Sequence, residues 1–125
     1  MEINKAALVF IGLSHPMRLE IFQLIVHSDE VGIRPQEIME KIEIPHATLS
    51  FHLKQLQTSD LVCVERKGTR LFYHCNSTVL NTISSEFLKL SENIPSPKTA
   101  IITKPRIKVK PHLSVEIFKE PPSQE

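Results

Sequence analysis

Two short amphipathic segments joined by a three-residue turn constrain this chain most. Residues 35–42 open on Pro35 and place Ile38 and Ile42 four residues apart. A proline suits the first turn of a helix, where its missing N–H has no intrahelical partner. Glu43-Ile44-Pro45 turns the chain, and residues 46–58 then carry Leu49, Leu53 and Leu56 on one helical face. Helices of 8 and 13 residues across such a turn have the spacing of a helix-turn-helix. With the leucines inward at 100° per residue, Ala47, Ser50, Phe51, Lys54 and Thr58 face outward, and His46 and Thr48 occupy the exposed first turn. Those are small or hydrogen-bonding groups, one cation and one aromatic ring. Two uses are open to Phe51: contact with a thymine methyl in the major groove, or packing under a neighbouring element.

The flanking segments complete an architecture. Residues 3–12 form a short apolar helix, and Ser14-His15-Pro16 starts another, with the serine hydroxyl as its cap. Residues 17–27 continue it with Leu19, Phe22, Leu24, Ile25 and Val26 as a wide apolar stripe. From Leu61 to Cys75 the period changes to that of strands, with Arg66-Lys67-Gly68-Thr69 as the turn. Asn76 caps a last helix over about residues 77–92, in which Leu80, Ile83, Phe87, Leu90 and Ile94 recur at the spacing of a helix-pair seam. The expected fold class is mainly α with a small β-hairpin: a winged helix-turn-helix. The hairpin tip carries Arg66, Lys67 and Arg70 around Gly68 and Thr69, a set able to reach DNA phosphates beside the reading helix.

Specific strings support this reading. Leu13-Ser14-His15-Pro16-Met17-Arg18-Leu19-Glu20-Ile21, then Ala47-Thr48-Leu49-Ser50-Phe51-His52-Leu53-Lys54-Gln55-Leu56 and Tyr73, resemble the ArsR/SmtB family of winged-helix repressors. The T-L-S-F-H-L-K run is most similar to the arsenical-resistance operon branch, and the resemblance covers residues 3–92. It implies a homodimer built on the first and last helices, which would place Ile3, Ala7, Phe10, Leu80, Ile83, Phe87 and Leu90 at the interface. It also implies an imperfect palindromic operator in double-stranded DNA, released when an inducer arrives. By the same carry-over His46, Ala47, Thr48, Ser50, Phe51 and Lys54 face DNA; His52, beside the inward face, reads as a structural or second-line contact rather than a base reader.

The family's inducer sites find no match. Residues 35–42 hold no cysteine. The last helix offers Asn76, Asn81, Glu86 and Glu92 without a histidine, a poor set for tetrahedral zinc. Ile94-Pro95 stand where the arsenical branch often carries adjacent cysteines. Cys63 and Cys75 could serve an arsenite, metal or thiol-redox sensor instead. A hairpin centred on Lys67-Gly68, however, puts Cys63 opposite Phe72 and Cys75 opposite Asp60, roughly 10 Å apart, beyond disulfide reach. No metal, no cofactor and no identified inducer are therefore expected. His15 and His27, near helix ends, read as capping groups.

Composition narrows the remaining classes. Residues 1–92 hold 9 basic and 11 acidic side chains, whereas residues 93–125 hold 6 and 3, so the chain's net +1 hides an acidic scaffold and a basic tail. Six of the 9 prolines lie in residues 95–125, which argues for a flexible or loosely docked tail with strand-like content only at 100–103 and 113–118. The expected domains are thus 1–92 for DNA binding and dimerisation, and 93–125 as the tail. No apolar run approaches the ~20 residues of a membrane span, and the N-terminal residues do not read as a signal peptide. Two cysteines suit a reducing, cytoplasmic setting. Nucleotide-binding glycine motifs and H-E-x-x-H are missing, so an enzyme is not expected. A winged-helix protein-interaction module without DNA reading is the other reading, favoured by the acidic scaffold and the tail.

Overall fold

The computed structural model describes residues 1–95. Within them the chain runs α1 (Ile3–Leu13), α2 (Pro16–Val26), α3 (Pro35–Lys41), α4 (His46–Thr58), β1 (Val62–Lys67), β2 (Arg70–Cys75) and α5 (Ser77–Glu92). This is the expected winged helix-turn-helix order. The stretches 100–103 and 113–118, and the tail from residue 96 on, lie outside the described residues.

Proline marks three helix starts. Pro16 and Pro35 open α2 and α3 from within, and Pro45 stands immediately before α4. Of the two capping groups expected at the start of α2, the His15 ring and not the Ser14 hydroxyl accepts the Met17 N–H, at 3.1 Å. Ser14 Oγ instead donates to the Ile11 carbonyl at 2.9 Å and helps close α1. Asn76 precedes α5 without capping it by its side chain, and only its carbonyl takes the Leu80 N–H. α3 stops at Lys41 because Ile42 is already extended, at φ −125° and ψ 123°.

The core lies where α1, α2, α3 and α4 meet the hairpin, with Val9, Ile21, Ile25, Ile38, Leu49, Leu56 and Leu61 fully enclosed. The stripe expected on α2 is narrower than its composition suggested. Ile21, Phe22 and Ile25 are buried, whereas Leu19 and Val26 are exposed. At 100° per residue the first three share an arc of about 100°, and Leu19 and Val26 sit together beyond its edge, roughly 100° round from its centre.

α1 crosses the end of α4 at Gly12, which is buried. A Cβ added there would lie 2.5 Å from Ser59 Oγ and 2.8 Å from Ser59 Cβ. Ser59 Oγ is itself held on the Leu56 carbonyl at 2.9 Å, so it cannot retreat freely. Gly12→Ala is therefore expected to lower the unfolding free energy by about 1–3 kcal/mol in urea titration, the usual cost of overpacking. An unchanged midpoint would show that the two helices separate without penalty.

The hairpin register is shifted by one residue at the turn from the expected one. Lys67 pairs with Arg70, Cys63 with His74 and Val62 with Cys75, around a two-residue turn at Gly68-Thr69. Gly68 has φ +64° and Thr69 is not in the positive-φ region, the pattern of a type II′ turn, whose first central position favours glycine. Ile33 adds an antiparallel bridge to Tyr73, through N–H···O contacts of 3.1 and 2.8 Å, and so ties the segment before α3 to the wing.

Candidate nucleic-acid interface

α4 divides its residues cleanly between inside and outside. Leu49, Leu53 and Leu56 are buried, as is His52 at 5% exposure. His46, Ala47, Thr48, Ser50, Phe51, Lys54 and Thr58 are all exposed. Phe51 is 56% exposed, so it does not pack beneath the wing; its ring meets that of His52 in an edge-type arrangement, with centroids 5.7 Å apart. Thr58 is the least available of the outward set, since its hydroxyl donates to the Lys54 carbonyl at 2.9 Å.

The wing tip leaves Arg66, Lys67, Thr69 and Arg70 exposed beside Gly68. Their charges are not equally free. Lys67 Nζ lies 3.8 Å from Glu65 Oε1 and 5.4 Å from the centre of the Phe72 ring. Arg66 and Arg70 form no ion pair among the described residues. Side-chain alternation across the ladder puts Lys67 and Arg70 on one face and Arg66 on the other, so the tip presents cations to both sides.

A third feature had no role in the sequence reading. The Arg18 guanidinium, from the first turn of α2, donates through Nε to the Gly12 carbonyl at 2.8 Å and through Nη2 to the Ile11 carbonyl at 3.5 Å. Its Nη1 reaches His52 Nδ1 at 3.4 Å, across 34 residues of sequence. An arginine can only donate, so His52 Nδ1 accepts and its ring is neutral. The His15 ring lies 4.7 Å from that of His52. Burial, then the neighbouring His15 and Arg18, hold the His52 pKa below its ordinary 6.5. The signal in the sequence was the His15-Pro16-Met17-Arg18 string, but nothing in the string named its partner.

The positions expected at a dimer interface fall into two groups. Ile3, Ala7, Phe10, Phe87 and Leu90 are exposed, with the Phe10 and Phe87 rings 5.5 Å apart. All of these but Ala7, with neighbouring residues of α1 and α5, border an apolar hollow of about 510 Å³. Ile83, by contrast, is only 7% exposed and packs with Val79 in the protomer's own core, and Leu80 is half-buried against it. The one stripe of α5 is thus divided between an inward and an outward use.

The cysteines do not form a site. The observed register places Cys63 beside His74 on the outer face of the wing and Cys75 beside Val62 on the inner face. Side chains pointing to opposite faces cannot be bridged, which replaces the expected three-residue offset as the reason for two free thiols. Burial, with Cys63 nearby, raises the Cys75 thiol above its ordinary range, the opposite of an activated thiolate. His74 on the outer face is engaged by Glu65 at 3.1 Å. No group of three or more His, Cys, Asp or Glu side chains suited to a metal ion occurs among the described residues. Likewise no single helix among them is long and apolar enough to cross a membrane.

Comparison with known proteins agrees with this fold. A helix-turn-helix domain family matches residues 13–65. The chain is 32% identical over 72 residues to the transcriptional repressor SdpR of Bacillus subtilis, covering 58% of this chain and 77% of that protein. It is 32% identical over 79 residues to the arsenical resistance operon repressor of the same organism, covering 63% and 73%. Among solved structures, an ArsR-like transcriptional regulator from Rhodococcus sp. RHA1 superposes with a TM-score of 0.63 at 21% identity, over 71% of this chain and 81% of that one. The winged helix-turn-helix domain of a possible ArsR-family regulator from Mycobacterium bovis, described as homodimeric, gives 0.58 at 22% identity over 74% and 84%.

Proposed function

The chain belongs to the ArsR/SmtB family of winged-helix regulators and is a DNA-binding transcriptional regulator, not an enzyme; from that premise we propose that it is a homodimeric repressor of an imperfectly palindromic operator. The observation that carries the proposal is the outward row of α4, exposed along its length opposite a buried leucine row. In this reading Ala47, Thr48, Ser50 and Phe51 meet base edges in the major groove, and His46 and Lys54 meet the flanking backbone. Arg66, Lys67, Thr69 and Arg70 reach phosphates or the adjacent minor groove.

The second copy docks through the exposed face of α1 and α5. Ile3, Ala7, Phe10, Phe87 and Leu90 supply that face, and covering them removes large apolar side chains from water. Residues 1–92 act as the DNA-binding and dimerisation domain and residues 93–125 as an appended basic tail. Release from DNA follows an inducer that binds elsewhere than at a two-cysteine site, since Cys63 and Cys75 face apart. Two of the relatives carry the name of repressor, which supports the sense of the regulation.

Selection of bound duplexes from a random pool, followed by fluorescence anisotropy, tests the reading. The wild-type protein enriches a palindrome with half-sites one helical turn apart. Phe51→Ala weakens binding to that duplex about tenfold and flattens the preference for one base per half-site, with random-sequence affinity unaltered. Enrichment of no sequence above the random pool would dismiss direct reading by α4.

A further inference from the structure

Leucines alone locate a helix against a core but leave its rotation about its own axis soft, because apolar contact has no direction. A helix that reads bases needs that rotation fixed, since a tilt of the outward row moves every side chain relative to the base edges. One directional polar contact holds the inward face of α4: the His52 ring, taken by the Arg18 guanidinium at 3.4 Å. Arg18 is in turn fastened to the carbonyls of Gly12 and Ile11, where α1 ends. The chain of contacts therefore runs from α1 through the first turn of α2 to the middle of α4. Its last member, His52, is adjacent in sequence to Phe51, and the two rings meet in an edge-type arrangement with centroids 5.7 Å apart.

We propose that Arg18 is a positioning residue for DNA reading, which through His52 fixes the rotation of α4 and so the angle at which its outward row enters the groove. The inference deepens the DNA-reading assignment of α4 and rests on it. Arg18 and His52 touch no base in this arrangement; they act on Phe51 and its neighbours by orienting the helix beneath them.

The contact is sensitive to protonation for a structural reason. His52 Nδ1 must carry a lone pair to accept from Arg18, and a proton there would set two donors and two positive charges face to face. The titratable or charged groups that face the ring are His15, from the α1–α2 junction, and Arg18, from α2. Both oppose its protonation, so the neutral ring persists at pH 7 and is lost only as the pH falls below the ordinary histidine range. Selective binding is thus complete at pH 7–8 and declines on acidification. Binding to random duplex follows total positive charge and does not decline with it.

The test is the ratio of affinities for a pool-selected duplex and a random duplex of equal length, measured by anisotropy between pH 8 and pH 5. Arg18→Gln is expected to lower that ratio about tenfold at pH 8, the scale of one hydrogen bond to a charged group, while random-duplex affinity stays within twofold. His52→Gln, whose amide oxygen accepts from Arg18 but does not titrate, is expected to flatten the acid decline of the ratio seen in the wild type. A wild-type ratio in Arg18→Gln overturns the proposal and leaves the DNA-reading assignment standing. A wild-type protein with no selectivity overturns both. Should Arg18→Gln fail to fold, His52→Gln decides alone: a flat profile supports the positioning role, and the wild-type pH dependence overturns it.

Discussion

Phe87→Glu is expected to convert the protein to a monomer and to lower its affinity for a palindromic duplex by about 10²–10⁴-fold, the gain that two linked reading heads have over one. Phe87 is 59% exposed in the protomer, so its loss there forfeits little beyond the Phe10 ring contact, about 0.5–1.5 kcal/mol. In the dimer the same ring is covered, and the carboxylate that replaces it must be buried beside Glu86, which already engages the nearby Met1 ammonium and Lys89. The two effects separate in experiment. Light scattering reads the mass, urea titration shows that the protomer remains folded, and anisotropy reads the operator affinity. A folded monomer that retained wild-type affinity would remove the dimer from the mechanism; a persistent dimer would move the interface away from α1 and α5.

Arg66→Ala combined with Arg70→Ala is expected to cost about a hundredfold in DNA affinity at physiological salt. In a dimer it removes four cations, and the slope of log affinity against log salt should become shallower by about 3.6 if each one meets a phosphate. Unfolding free energy should change by no more than about 0.5 kcal/mol, because both side chains stand exposed at a hairpin tip. Lys67→Ala is expected to have the smaller effect, since Glu65 already lies 3.8 Å from its ammonium. An unaltered salt slope in the double variant would mean that the wing stays clear of the backbone. That result would favour a protein-interaction role for the hairpin.

Some of this was legible because it is local. The periodicity of Leu49, Leu53 and Leu56 fixes which face of α4 is buried, and every other position of that helix follows from 100° per residue. The turn at Glu43-Ile44-Pro45 and the prolines at helix starts are equally short-range, so the order of elements could be read directly. The cap of α2 was close to legible: a hydroxyl and an imidazole stood side by side at Ser14 and His15, and only backbone geometry chose between them.

Other features depend on angles or on distant partners. Hairpin register hung on which residue of Lys67-Gly68-Thr69 takes positive φ first, and a shift of one there changed the neighbour of each cysteine. The apolar stripe of α5 had two destinations with one pattern. Ile83 went to the core of its own protomer, and Phe87 and Leu90 stayed outside it.

The sequence by itself determined the class of fold, the helix that presents an outward exposed row, and the cations of the wing, because each is set by contacts within a few residues. Only the tertiary structure decided that Arg18, 34 residues before His52, holds the underside of that helix, and that the two thiols face apart. The physical reason is one of range. Periodicity and turn chemistry are written along the chain, whereas a guanidinium finds its acceptors across a gap that only packing of α1, α2 and α4 can close.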